Sequence, residues 1–360
     1  MTILTLAIAF FSLISLIIIH ELGHFLLAKK FGVRVEEFGI GYPPRLIGKK
    51  IGETIYSLNL LPFGAFVRFP GEIKRKDDPG SFSQQPVEKR FLISLGGVLS
   101  FWIIAILLFG IVFSIGAPVM VEDEDVSGLT ESEIRIAGIA LNSPADRAGI
   151  KIGDTIKELL AGNDRLIPVK IKEVQDFTNS HLGQEIKLTI EREQDFFEIS
   201  LIARSSPPAG EGSMGVMLVR TAIQKYPWYL SPWQGILATV RTTFLIIKGY
   251  MTAIGNIFQG SASGVQLAGP VGVFQMLIQS QQLGLAYFLN FLALISLHLA
   301  IFNLLPIPAV DGGKMLFLGI EAVRKKPVSE NIEQNITAFS FIILLVLMVW
   351  VTINDITRLF

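Results

Sequence analysis

The chain has no cysteine and unusually little charge. None of its 360 residues is a cysteine, and only 17% are Asp, Glu, Lys or Arg, whereas a soluble protein contains about 25%. The absence of cysteine excludes disulfides, iron–sulfur clusters, Cys-ligated zinc and a cysteine nucleophile. The formal net charge is zero, so we expect no nucleic-acid partner. Any metal site must use carboxylates and the four histidines of the chain, which are His20, His24, His181 and His298.

Apolar residues are abundant instead, at 51% of the chain. Apolar runs long enough to cross about 30 Å of hydrocarbon predict four transmembrane helices, in the ranges 1–30, 91–119, 285–306 and 337–360. Basic residues follow the first run, including Lys29 and Lys30. By the positive-inside rule this end of the first helix faces the cytoplasm, and we expect a multi-pass protein of the bacterial cytoplasmic (inner) membrane.

The sequence His20-Glu21-Leu22-Gly23-His24 lies inside the first apolar run. On a helix the two histidines share one face, so both imidazoles can bind one Zn²⁺, with Glu21 placed as the general base. The alternative is a pair of core histidines with a chance glutamate between them. Ionisable residues at membrane depth are costly and usually functional, which favours the metal site.

Residues 31–90 contain a β-rich region with regularly spaced Gly and Pro, which predicts short strands and turns. The part from Leu58 to Val67 is too apolar for an ordinary cytoplasmic hairpin and too short to span. We expect a sheet that enters the membrane beside the first helix and offers a free edge to an extended substrate. A hairpin on the membrane surface is the alternative.

Residues 120–222 form a predicted soluble domain of α+β composition. Its string from Gly138 to Leu159 resembles a PDZ domain, with Ser143-Pro144-Ala145 before a short helix. The later string from Gly212 to Leu218 resembles the loop that receives a peptide C-terminus in permuted PDZ domains of bacterial proteases. The resemblance implies one extracytoplasmic PDZ domain that binds peptide C-termini through the residues Met214, Gly215, Val216 and Met217.

Residues 223–284 predict an amphipathic helix and a linker. An apolar stripe alternates with a charged residue about every second turn, and Tyr and Trp precede it, which is typical of a helix at the membrane interface. A deep span over 233–259 is the alternative. The string from Leu267 to Gly272 predicts a tight turn.

The third span ends in the string from Asn303 to Gly313, before a predicted cytoplasmic loop at 307–336. Its prolines and glycines end the helix near Asp311, and the basic residues that follow place this end in the cytoplasm, level with His24. Asp311 is therefore the expected third metal ligand, although a turn residue is the alternative. Asn303 is expected either to bind substrate backbone or to pack between helices. We expect His298 to be a buried, hydrogen-bonded histidine, and a fourth metal ligand is the less favoured alternative.

Together these motifs resemble the site-2 protease family, peptidase family M50, and within it the bacterial sigma-E regulatory proteases. The resemblance covers nearly the whole chain and implies a polytopic α-helical membrane protein with four transmembrane helices, a membrane-associated β-rich loop and one PDZ domain. It implies one catalytic Zn²⁺ held by His20, His24 and Asp311, with Glu21 as the base. It also implies hydrolysis of single-span substrates in the lipid bilayer, such as pre-trimmed anti-sigma factors and signal-peptide remnants.

The resemblance extends to substrate binding, with some departures. The apolar segment matches a membrane-entering loop and implies substrate contacts from Pro62, Phe63, Gly64, Ala65 and Phe66, beside Asn303. The second span carries the sequence from Gly96 to Ser100 where the family often has a Gly-Pro-x-x-Asn element, so a role for Ser100 stays open. A non-hydrolytic zinc sensor or transporter, and an inactive PDZ scaffold, are the alternative functions.

Overall fold

The computed structural model describes residues 3–72, 76–121, 132–192, 195–208, 210–259 and 268–357. The predicted turn at Leu267–Gly272 begins outside the described residues, as do short parts of the predicted domains. The helices are α1 (Ile3–Lys30), α2 (Val87–Ile115), α3 (Pro144–Arg147), α4 (Ile171–Ser180), α5 (Ser231–Phe258), α6 (Pro270–Gln282), α7 (Leu285–Leu304), α8 (Asp311–Arg324) and α9 (Glu330–Thr357). The strands are β1 (Glu37–Ile51), β2 (Thr54–Arg68), β3 (Ala117–Met120), β4 (Glu133–Ile139), β5 (Thr155–Ala161), β6 (Asp164–Leu166), β7 (Glu185–Arg192), β8 (Asp195–Ile202) and β9 (Val216–Gln224).

Two compact units divide the chain. The first contains Met1–Ile111, Tyr229–Gln281 and Phe288–Phe360, and the second contains Val112–Trp228 and Gln282–Tyr287. Within the described residues, four helices are long and apolar enough to cross a membrane, namely α1, α2, α7 and α9. These four agree with the four predicted spans. The helix α5 is not among them, and its predicted place at the membrane interface stays a prediction.

Helix ends differ from the predicted spans where polar residues continue a helix. The helix α2 begins at Val87 and ends at Ile115, so it is shifted four residues toward the N-terminus from the predicted 91–119. The helix α9 begins at Glu330, seven residues before the predicted 337. Hydropathy reports only the apolar part of a helix, whereas Glu, Lys and Gln extend its first turns at little cost.

The predicted cytoplasmic loop at 307–336 is largely helical, because α8 occupies Asp311–Arg324. Paired glycines disfavour helix in isolation, which is why the sequence predicted an unwound segment here. In the structure they are the second and third residues of α8, and a side chain would not fit at either position. A Cβ at Gly312 would lie 2.1 Å from the Leu305 carbonyl oxygen, and one at Gly313 would lie 2.3 Å from Pro308 Cα.

The strands β1 and β2 form a bent hairpin. The β-rich pattern predicted β structure here, but the strands are not short as predicted, since each contains 15 residues. The start of β1, residues 37–40, pairs on one side with residues 55–58 and on the other with residues 65–68. The segment 65–68 therefore lies at the rim of this sheet, and no other described strand pairs with its outer side. Gly39 permits this packing, since a Cβ there would lie 2.4 Å from the Phe66 ring.

The second unit is an antiparallel sheet around an apolar core. Its strands run in the order β3-β9-β4-β5-β7-β8, with β6 paired to β5. Alternate residues of the central strands point into the core, and the helices α3 and α4 cover it. The largest fully buried side chains there are Ile134, Ile136, Leu159, Ile186, Leu188 and Ile190.

Candidate metal centre

Three side-chain atoms from two helices converge in the first unit. His20 and His24 lie four residues apart on α1, and their Nε2 atoms are 3.3 Å from each other. The Oδ2 atom of Asp311, the first residue of α8, lies 3.3 Å from each Nε2. Both histidines are buried, with less than a tenth of their surface exposed.

This triangle suits a zinc ion. A triangle with 3.3 Å sides has its centre about 1.9 Å from each corner, close to the ~2.0–2.2 Å at which Zn²⁺ binds imidazole nitrogen and carboxylate oxygen. The buried Asp311 Oδ2 has no hydrogen-bond donor. An anionic oxygen without a donor, facing two ring nitrogens, is costly unless a cation lies between them. Two histidines and one carboxylate are also a common donor set of catalytic zinc.

The helix α2 orients His24 for metal binding. The Nδ1 atom of His24 lies 2.8 Å from the Ile93 carbonyl oxygen, and only a protonated Nδ1 can donate to a carbonyl. The Nε2 atom is then left with its lone pair toward Asp311, which is how outer hydrogen bonds fix metal-binding histidines. His20 is held differently, by stacking on Phe101 at a centroid distance of 4.7 Å, and its Nδ1 has no partner.

Glycines bring α2 against the metal-binding face of α1. A Cβ at Gly23 would lie 2.3 Å from the Gly96 carbonyl oxygen, and one at Gly97 would lie 2.2 Å from His24 Nε2. Small residues let helix backbones approach this closely. The Gly96-Gly97 pair therefore allows α2 to contact α1 directly. Ser100, in contrast, is buried and donates to the Gly97 carbonyl of its own helix at 2.6 Å.

The carboxyl of Asp311 is held ionised. Burial raises its pKa, but when no metal is bound, protonated imidazoles of His20 and His24 donate to it and outweigh burial, so that the net pKa lies well below its usual range. Its position in the first turn of α8 also favours a negative charge, because the N-terminal end of a helix carries partial positive charge.

A cavity of about 200 Å³ adjoins the three atoms. Glu21, His24 and Asp311 line it on one side, and the hairpin lines it on the other with Tyr42 and the rim segment from Ala65 to Val67. Burial, and then the negative charge of Glu21, raise the pKa of the Tyr42 hydroxyl. The hydroxyl therefore stays protonated near Glu21 and can donate a hydrogen bond to a carbonyl in the cavity.

Only part of the predicted substrate segment reaches this cavity. Ala65 and Phe66 line it, whereas Pro62 and Phe63 are exposed and the Phe63 ring contacts Phe10. Gly64 is buried at a φ of 96°.

The other polar residues singled out from the sequence lie elsewhere. Asn303 is not a lining residue of the cavity, and its amide donates to the Leu299 carbonyl of its own helix at 2.9 Å. His298 was expected to be buried, but it is exposed and contacts Tyr250. His181, expected as a plain surface residue, is half-buried and lies 3.1 Å from Asp164.

Sequence reasoning missed three ionisable lining residues, namely Tyr42, Glu72 and Lys314. Lys314 lies one turn after Asp311 on α8, so a helix beginning at Asp311 would have revealed it. Tyr42 reaches the cavity through the bend of the hairpin and Glu72 through the turn that follows β2, and no local pattern predicts either position.

The second unit has a separate groove of about 350 Å³. It lies between α4, with Val174 and Thr178, and the segment from Gly212 to Leu218. The four residues predicted to bind a peptide C-terminus lie in or next to this segment, and Met214, Gly215 and Val216 line the groove. The carbonyl oxygens of Met214 and Gly215 accept hydrogen bonds from the backbone amides of Ala145 and Ala140. These two oxygens are therefore already paired and are not free to repel the carboxylate of a bound peptide.

Comparison with known proteins agrees with this geometry. Residues 8–347 match the model of peptidase family M50. A candidate zinc metalloprotease of Clostridium perfringens is 33% identical over 95% of this chain and 95% of its own. A second, from Clostridium acetobutylicum, is 31% identical over 99% and 98%.

A third relative carries a regulatory name. The regulator of sigma-W protease RasP of Bacillus subtilis is 26% identical over 96% of both chains. That name refers to sigma-W, so the sigma-E assignment made from the sequence stays a prediction. The match over nearly the whole chain, together with two histidines, a carboxylate and a glutamate around one cavity, shows that this chain belongs to peptidase family M50, a family of zinc metalloproteases.

Proposed function

We propose that this zinc metalloprotease hydrolyses peptide bonds within transmembrane segments, using His20, His24 and Asp311 as zinc ligands and Glu21 as general base. The observation that carries the proposal is the 3.3 Å triangle of donor atoms beside a cavity lined by Glu21. The helix that contributes the two histidines is apolar enough to span a membrane. A transmembrane substrate can therefore reach the site from within the bilayer.

The chemistry follows from the residues around the cavity. Zinc, when bound, supplies Lewis-acid polarisation of the scissile carbonyl and favours ionisation of water near neutral pH. The Glu21 carboxylate accepts a proton from the attacking water and returns it to the leaving amine. The Tyr42 hydroxyl lines the same cavity and is placed to hydrogen-bond the substrate carbonyl. The amide becomes a carboxylate and an ammonium, with both water protons on the nitrogen.

The rim segment 65–68 supports a mode of substrate binding. A helix in lipid has all its backbone groups paired, so a few residues must unwind before hydrolysis. An unwound segment that pairs with the open rim recovers backbone hydrogen bonds and is aligned beside the zinc ligands. Ala65 and Phe66 are the predicted substrate residues that this arrangement supports, and Asn303 is not supported by its position.

The location and the partners are proposed on the same basis. We assign the protein to the bacterial cytoplasmic membrane, with the metal centre toward the cytoplasm and the second unit outside, because basic residues follow α1 and α8. Single-span proteins, including anti-sigma-factor-type proteins and signal-peptide remnants, are the proposed substrates, and the regulatory name of RasP supports the first class. The groove between α4 and β9 supports a PDZ-type site for peptide C-termini.

Two substitutions test the proposal. Glu21→Gln in purified protein should retain zinc and reduce cleavage of single-span proteins at least a hundredfold, because removing a catalytic base costs about 10²–10⁴-fold. Asp311→Asn should lose zinc, measured as bound metal per chain after dialysis. Full cleavage by Glu21→Gln would contradict the proposal. Zinc retained in both variants, with no Glu21-dependent product from any single-span protein, would favour a zinc sensor or transporter instead.

A further inference from the structure

An ion pair lies in the wall of the catalytic cavity. The ammonium of Lys314 on α8 contacts the carboxylate of Glu72, which directly follows the turn after the hairpin strand β2. Lys314 also lies over the Phe82 ring, 4.4 Å from its centroid. Both charged side chains are about three-quarters buried. Among the described residues that line the cavity, Lys314 is the one cation.

The same pair lines a second, larger cavity of about 550 Å³. The two cavities share four lining residues, which are Glu72, Phe82, Asp311 and Lys314. The larger cavity is also lined by Arg90 and Glu321, which pair with each other at 2.5 Å. The Glu72–Lys314 pair therefore lies at the boundary between the catalytic cavity and a larger space that contains a second ion pair.

Hydrolysis of an amide creates two charges where none existed. The acyl half ends in a carboxylate and the other half in an ammonium, and each isolated charge is expensive in an apolar environment. A pre-formed ion pair offers one partner for each new terminus. Exchanging one internal pair for two pairs with the products leaves no buried charge alone.

We propose that Lys314 and Glu72 form a product-binding pair, in which Lys314 binds the new α-carboxylate and Glu72 binds the new α-ammonium. The inference rests on the proposed hydrolysis, but it concerns the binding of product termini and not the chemical step. Neither residue acts as base or zinc ligand.

Peptide binding tests the proposal without turnover. The probes are acetyl-Ala-Leu-Ala-Leu with a free carboxylate or a carboxamide, and Ala-Leu-Ala-Leu-amide with a free or an acetylated amine. Calorimetric titration uses the full-length, zinc-loaded protein with the Glu21→Gln change, so that no peptide is cleaved. It also carries Gly215→Ala, so that the groove between α4 and β9, which is expected to bind free peptide C-termini, does not contribute. The free carboxylate should bind about tenfold more tightly than the carboxamide, as for one ion pair of about 1.4 kcal/mol. The free amine should show a similar preference over the acetylated one.

Variants separate the pair from the metal. Lys314→Met should abolish the carboxylate preference, Lys314→Arg should keep it, and Lys187→Met, which changes an exposed lysine of β7, should leave it unchanged. Glu72→Gln should abolish the amine preference and raise the affinity for the carboxylate peptide severalfold, because Lys314 loses its internal partner.

Three results would overturn the proposal: an unchanged carboxylate preference in Lys314→Met, which would assign the carboxylate to zinc alone, equal binding of all four peptides, or no gain in Glu72→Gln. The gain in Glu72→Gln provides a test even where Lys314→Met fails to fold. Since no cleavage is measured, these results are distinct from a failure of Glu21→Gln to lose activity.

Discussion

The positions of the His20 and His24 rings depend on Gly97, which has no side chain. Gly97 faces both histidines, because a Cβ there would lie 2.2 Å from His24 Nε2 and 2.7 Å from His20 Cε1. No real Cβ contact is this short, so any side chain at Gly97 must displace one of the two histidines or move α2 away from α1.

We predict that Gly97→Ala lowers zinc affinity about 10–100-fold, the range found when the surroundings of metal ligands are disturbed. The displaced His24 also loses its hydrogen bond to the Ile93 carbonyl. Competition with a zinc chelator measures the affinity. The matched control is Gly319→Ala on α8, where a Cβ meets nothing within 4 Å, and its zinc affinity should equal that of the unchanged chain. Wild-type affinity in Gly97→Ala would contradict the role of Gly97.

Individual residues of the site differ in how far the sequence revealed them. His20 and His24 could be predicted as a pair from the sequence alone, because residues four apart lie on the same face of any helix. Asp311 needed an argument about membrane depth, and the structure places it beside the two histidines, while its role as a zinc ligand stays a prediction. Lys314 was missed because the paired glycines after Asp311 suggested an unwound segment. The close approach of Gly313 to Pro308 explains those glycines, and only three-dimensional packing reveals it.

At the scale of elements, apolar length identified the four long helices, and strand composition identified the hairpin. The sequence pattern did not predict the bend that lets residues 37–40 pair on both sides. That bend creates the rim at 65–68 and carries Tyr42 into the cavity. Local sequence patterns also did not predict a long-range contact that caps the start of α6. The buried Asp355 of α9 accepts hydrogen bonds from the Gly269 and Gly272 amides at the start of α6.

The groove between α4 and β9 gives the prediction for an element. A fluorescent apolar peptide with a free C-terminal carboxylate should bind the full-length protein more tightly than its carboxamide. Gly215→Ala should weaken this binding at least tenfold, since Gly215 has a φ of 77° and a Cβ would lie 2.3 Å from Ser143 Cβ. Fluorescence anisotropy measures both affinities.

The control for this substitution shares its backbone strain. Gly183 has a φ of 74°, but a Cβ there meets nothing within 4 Å, and it is not a lining residue of the groove. Gly183→Ala should therefore bind the peptide normally. Equal loss in both variants, or equal binding of carboxylate and carboxamide peptides, would argue against a C-terminus site.

For the whole molecule, the sequence indicates the orientation in the membrane. Four helices can span, but only the distribution of Lys and Arg around them indicates which ends face the cytoplasm. The basic residues after α1 and those at the end of α8 give the same answer independently. Residues of the hairpin should then lie on the cytoplasmic side, and residues of the sheet that contains β7 should lie outside.

The absence of cysteine makes this orientation directly measurable. Lys50→Cys in β1 and Lys187→Cys in β7 each introduce one thiol at an exposed position into a chain that otherwise has none. A maleimide that does not cross membranes should label the thiol at position 187 in intact spheroplasts, and the thiol at position 50 only after permeabilisation. The unchanged chain should remain unlabelled in both conditions. Labelling of position 50 before permeabilisation would invert the orientation, and zinc-dependent hydrolysis would then draw its water from the outer side.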